Sequence, residues 1–79
     1  MEYTVLIEAI EKVLQVYIKE ITPTSTFGGD LGADSIDMMQ IIKLVEDKLS
    51  IKIKEVALEE IITVNDALEL IKESVSEAK

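Results

Sequence analysis

The sequence predicts an all-α protein, a small four-helix bundle of three long helices and one short one, with a long loop between the first and second helices. Two observations carry that reading. Apolar residues recur at steps of three and four over most of the 79 residues, the spacing of one helix face. The proline and all three glycines gather in a single stretch, Pro23 to Gly32, so the chain is punctuated once and firmly. With no internal repeat and no second-domain linker, residues 1–79 read as one domain. A chain this short buries only a little over about 60% of its unfolded surface, which allows one small core.

The first helix is expected from Tyr3 to Ile21, on the stripe Tyr3, Leu6, Ile7, Ile10, Val13, Leu14, Tyr17, Ile18 and Ile21. Val5 and Val16 fall off that stripe. Pro23 stops the pattern at Thr22, because it disfavours helical geometry in the residue before it. The loop Thr22 to Asp34 reads TPTSTFGGDLGAD, and Phe27 and Leu31 are its expected anchors. Loops this long are uncommon in compact domains and are often functional.

A second helix should begin at Asp34 or Ser35 and run to about Leu49, with Met38, Ile41, Ile42, Val45 and Leu49 facing the core. Ile36 and Met39 lie off that stripe beside Gln40, Lys43 and Asp47, an arrangement resembling a contact patch. Ser50 to Lys54 alternates like a strand, but no other segment could pair with it, which makes it an extended connector. Glu55 to Ile62 supplies the short helix, held by tertiary contacts, with Val56, Leu58, Ile61 and Ile62 available for burial. Thr63 and Asp66 approximate a capping box for the last helix, whose stripe is Val64, Ala67, Leu68, Ile71, Val75 and Ala78 and whose tail should fray after Ser76.

Composition then narrows the chemistry. Cysteine, histidine and arginine are all absent. That removes disulfides, thiolate nucleophiles, the commonest general base and the bidentate phosphate fork, so self-contained catalysis is not expected. Sixteen acidic against eight basic residues give a net charge of −8, which repels nucleic acid and anionic lipid and calls for partners with basic patches. An apolar fraction of 48% separates the chain from acidic disordered segments. Met1, Glu2 and Tyr3 do not open a leader, and no window has the length of a membrane span, which makes a reducing cytoplasm the default compartment.

The segment DLGADSID, Asp30 to Asp37, places a serine at a helix start just after an acidic residue and a glycine-containing loop. With Phe27 before it and Ile62-Thr63-Val64 ahead of the last helix, this stretch resembles the phosphopantetheine attachment site of acyl carrier proteins. Their signature, Asp-Ser followed by Leu or Ile, is Asp34, Ser35 and Ile36 here. The resemblance implies that Ser35 carries a 4′-phosphopantetheine arm, transferred from coenzyme A by a phosphopantetheinyl transferase, with Asp34 beside it. Acyl groups would be held as thioesters on the arm, and the chain itself would be no enzyme. It further implies acyl-loading and elongating enzymes as partners of a monomeric carrier, docked on Asp34, Ile36, Asp37, Met39, Gln40, Lys43 and Asp47.

The residues also admit plainer roles. Ser35 by itself could be an ordinary N-cap, Asp34 and Asp37 are favoured in any first helical turn, and single exposed apolar residues such as Met39 are common. A metal-binding reading of Asp30, Asp34 and Asp37 fails on spacing. An EF-hand loop from Asp30 would need a ligand at Gly32, glycine at Ser35 and glutamate at Ile41. An acidic adaptor with no prosthetic group is the surviving alternative class. Within the resemblance, carriers of fatty acid synthesis usually have glutamate where Gln40 stands and an uncharged residue where Lys43 stands. Lys43 and Lys48 dilute the acidic helix, and the loop is shorter than is common in that branch. Fatty acid synthesis is the leading pathway, with a polyketide, lipid or aminoacyl system as the alternative.

Overall fold

The computed structural model describes residues 2–53 and 60–78. Over these the protein is all-helical, with α1 (Glu2–Leu14), a 3-10 turn (Ile18–Glu20), α2 (Ser35–Leu49) and α3 (Val64–Ala78). No strand occurs among the described residues, where the one extended pairing is an isolated antiparallel bridge between Thr26 and Thr63.

α1 ends seven residues short of the expected Ile21. Gln15 takes a left-handed conformation, φ 55°, and donates its N–H to Glu11 at 2.8 Å. The apolar spacing ran on past this point because a 3-10 turn has a period of three, and Ile18 and Ile21 satisfy it as well as an α-helix would. The β-branched and aromatic run Val16, Tyr17 and Ile18 also gives the longer helix little propensity. Tyr17 is therefore 76% exposed and Ile18 is exposed rather than core, while Ile21 is buried. Val5 and Val16, the two off-stripe valines, are half-buried against the core.

α2 matches its expected span. Its last turn closes at Ser50, φ 55°, whose N–H and that of Ile51 both reach the Glu46 carbonyl, at 3.1 Å for Ile51. The second of these is the longer bond that characterises a left-handed helix stop. The Glu46 carboxylate accepts the Ile53 N–H at 2.7 Å, which pins the extended connector, with Ile53 buried. The short helix expected over Glu55 to Ile62 falls mostly on residues 54–59, outside the described residues. Ile61 and Ile62 are not helical, since the Ile62 backbone is engaged by Phe27 and Asp66 instead of a helical ladder, and Ile62 is 63% exposed rather than buried.

α3 begins with the capping box that Thr63 and Asp66 announced. Asp66 donates its N–H to Thr63 Oγ1 at 3.2 Å and accepts the N–H groups of Thr63 and Ile62 at 3.0 and 3.1 Å. The helix continues through Ala78, two residues beyond the expected end.

α1 packs against both α2 and α3. Val5, Glu8, Ala9 and Lys12 of α1 line a common groove with Leu44, Asp47 and Lys48 of α2, and further along α1 Val13 lines it with Gln40 and Lys43, so the two helices run antiparallel. Leu6 and Ile10, Ile41 and Val45, and Val64 and Ile71 are fully buried between the three helices. Each contributes on the order of 1.5 to 3 kcal/mol. Ile21, Phe27 and Ile53 seal the core from the connecting segments.

Candidate functional site

The loop that precedes α2 is held at both ends by backbone hydrogen bonds. Phe27, buried at 3% exposure, donates its N–H to the Ile62 carbonyl at 3.0 Å and accepts the Ala33 N–H at 2.7 Å, so one anchored residue fixes the turn directly ahead of Asp34. Leu31 is half-buried beside it. Thr26 and Asp30 lock the turn between them. The Asp30 carboxylate accepts the Thr26 N–H and Thr26 Oγ1 accepts the Asp30 N–H, each at 2.9 Å. A Cβ on Gly29 would stand 2.8 Å from Thr26 Oγ1, which ties that glycine to the lock. Gly32 supplies φ +68°, a conformation that L side chains rarely adopt, and the chain turns there into the helix.

Asp34 is the N-cap of α2. Its Oδ1 accepts the Asp37 N–H at 2.9 Å while Asp37 Oδ2 accepts the Asp34 N–H at 3.2 Å, a reciprocal capping box. Ser35 is accordingly the first helical residue and not the cap. Its side chain is exposed and its hydroxyl makes no hydrogen bond among the described residues. The N–H groups of Ser35 and Ile36 also lack a partner there, as the first donors of a helix do unless something is placed over them.

The start of α3 differs. Its corresponding donors are covered, the Val64 N–H by the Ser25 carbonyl and the Asn65 N–H by the Pro23 carbonyl, both at 2.9 Å. The buried Ser25 is itself held by Thr22, whose N–H meets Ser25 Oγ at 3.0 Å. The same loop thus closes one helix start and leaves the other open. An exposed hydroxyl beside two unpaired N–H donors, at the positive end of a helix, is a donor set suited to a phosphate ester's anionic oxygens.

From Ser35 the outer face of α2 descends through Ile36, Met39, Gln40, Lys43 and Asp47, all exposed, with Ile36 at 65% and Met39 at 55%. Asp37 is half-buried through its capping role, and Met38 turns to the core. Ile36, Asp37, Met39, Gln40, Lys43 and Asp47, with Asp34 at the cap, are brought together along one side of a single helix. Sequence reading missed the Thr26 and Asp30 lock, although a threonine and an aspartate four apart around two glycines is a visible pattern. It also missed the Pro23 and Ser25 carbonyls, which no side chain announces.

A family model for the phosphopantetheine attachment site matches residues 4–71, a span covering most of α1, the loop, α2 and just over half of α3. The acyl carrier protein of Treponema pallidum is 39% identical over 67 residues, which cover 85% of this chain and 86% of that protein. The chain belongs to the acyl carrier protein family. A putative mitochondrial acyl carrier protein of Schizosaccharomyces pombe is 43% identical over 53 residues, 67% of this carrier but only 47% of the yeast protein, so the match spans about half of that relative's length. Carriers of this family bear a covalently attached 4′-phosphopantetheine. Its thiol supplies the acyl-binding chemistry that a chain without cysteine lacks. No helix among the described residues of this carrier is long and apolar enough to cross a membrane.

Proposed function

We propose that residues 1–79 form one carrier domain whose Ser35 bears the 4′-phosphopantetheine arm, and that it holds acyl intermediates as thioesters for fatty acid biosynthesis. The observation that carries this reading is the start of α2, where an exposed Ser35 hydroxyl with no partner among the described residues stands beside the unpaired N–H groups of Ser35 and Ile36. Asp34 has a positioning role, since its capping box fixes the first turn and holds the hydroxyl outward. A phosphopantetheinyl transferase supplies the arm from coenzyme A, and the carrier works as a monomer with loading and elongating enzymes that present basic residues to Asp34, Asp37 and Asp47. Ile36 and Met39 give those enzymes apolar anchors beside the arm.

A carrier for polyketide, lipid or aminoacyl transfer is the second reading. It is favoured by Gln40 and Lys43, which stand exposed where carriers of fatty acid synthesis usually have glutamate and an uncharged residue. Intact mass decides the first point. Incubation with coenzyme A and a broad-specificity transferase should add one phosphopantetheine to the wild type and none to Ser35→Ala. A wild type that gains nothing would return the chain to an acidic adaptor, and an undiminished gain in Ser35→Ala would move the arm elsewhere. The acyl species found on the arm of cell-grown protein separates the two pathways.

A further inference from the structure

On a chain of net charge −8, three of the eight basic residues converge on one place, the groove between α1 and α2. The groove consists of two adjoining hollows of about 310 and 450 Å³ that share Lys12, Leu44 and Asp47. Its apolar floor is Val5, Ala9, Val13 and Leu44. Lys12, Lys43 and Lys48 form the rim, against two carboxylates, Glu8 and Asp47. This is a locally cationic trough on an anionic molecule. It also accounts for Val5, which the α1 stripe left over.

We propose that the α1–α2 groove docks an acidic amphipathic helix of a partner protein, its apolar ridge seated on Val5, Ala9, Val13 and Leu44 and its carboxylates on Lys12, Lys43 and Lys48. From Val5 to Val13 the floor extends about 12 Å at 1.5 Å per residue, the length that two turns of a partner helix cover with apolar residues at i, i+4 and i+7. A row of ridges laid between two antiparallel helices is ordinary helix packing. Anionic lipid is the poorer occupant, because the net charge of the whole carrier repels such a surface while a single helix brings only its own few carboxylates. Lys43 and Gln40 belong both to this groove and to the outer face of α2, so a partner holding the groove would stand beside the exposed face below Ser35. The proposal does not depend on Ser35 bearing the arm.

The test uses the full-length, ¹⁵N-labelled chain without its arm and two synthetic helical peptides of about 15 residues, near the shortest length that holds a helix in water. Both carry leucines at i, i+4 and i+7, flanked in one by glutamate and in the other by lysine. The glutamate-flanked peptide should shift the amide resonances of Val5, Ala9, Lys12, Leu44 and Lys48. Lys12→Gln with Lys48→Gln should weaken that binding by about tenfold, and Lys12→Glu with Lys48→Glu should transfer it to the lysine-flanked peptide. Circular dichroism of each variant confirms that the fold is retained, since all the replaced side chains lie on the rim. Equal binding of both peptides, shifts confined to Ile36 and Met39, no shifts at all, or binding insensitive to the lysine replacements would each overturn the proposal. Running the titration on Ser35→Ala keeps its outcome separate from that of the attachment experiment.

Discussion

Asp66 shows how one carboxylate governs a helix start. The backbone N–H of Thr63, then that of Ile62, hold its pKa below the ordinary carboxylate range against a smaller opposing effect of burial, and the Thr63 side chain adds least. A folded-state pKa below the unfolded one gives stability that is fully present above the unfolded value and is lost as pH falls through the folded one. Asp66→Asn keeps an acceptor oxygen but no charge, so it should melt below the wild type at neutral pH, and the gap should close as pH falls below about 4. Melting temperature followed from neutral to acid pH in both proteins measures this. A gap that stays constant would show that the charge contributes nothing. Thr63→Ala, which removes the partner hydroxyl, should cost about 1 kcal/mol in denaturant titration whatever the pH of the neutral range.

At the level of the element, α2 divides its residues between the core and an exposed face, the face proposed to meet partner enzymes. Asp37→Lys should slow association with a loading enzyme, and the wild-type rate should fall as salt rises. Met39→Ala should leave association nearly unchanged and speed dissociation by roughly tenfold at any salt concentration. Stopped-flow binding separates the two. If both substitutions moved only the dissociation rate, charge would have no steering role on this face. The buried side was legible beforehand because α2 is long, capped and periodic, so Met38, Ile41, Ile42, Val45 and Leu49 had to face inward, although Leu44, off that stripe, is half-buried as well. The end of α1 was not legible, since spacing of three and four fits either a continuing helix or a 3-10 turn. Asp34 took the cap from Ser35 through its reciprocal bond with Asp37, a choice between adjacent residues that pattern alone leaves open.

For the molecule as a whole, a charge of −8 on 79 residues makes the compact state repel itself. Sodium chloride should raise the melting temperature, and magnesium chloride should raise it further at equal ionic strength, because a divalent cation is drawn more strongly than sodium to a surface of net negative charge. Calorimetry in the two salts checks this, and equal responses would assign the effect to screening alone. The sequence foretold three long helices and the loop at this scale, the first of them too long, but not what holds them together, because those bonds run between backbone atoms. Pro23 and Ser25 give their carbonyls to Asn65 and Val64, half a chain length away. That makes the fold a closed circuit. The start of α3 completes the loop that precedes Ser35, so a chain cut before Val64 cannot settle the loop in its final form. Such a truncated chain should be a poor substrate for the transferase while the full chain is a good one, as the mass gained by each under identical conditions would reveal. Addition of the arm would then report on folding, reaching only chains in which α3 has closed the loop.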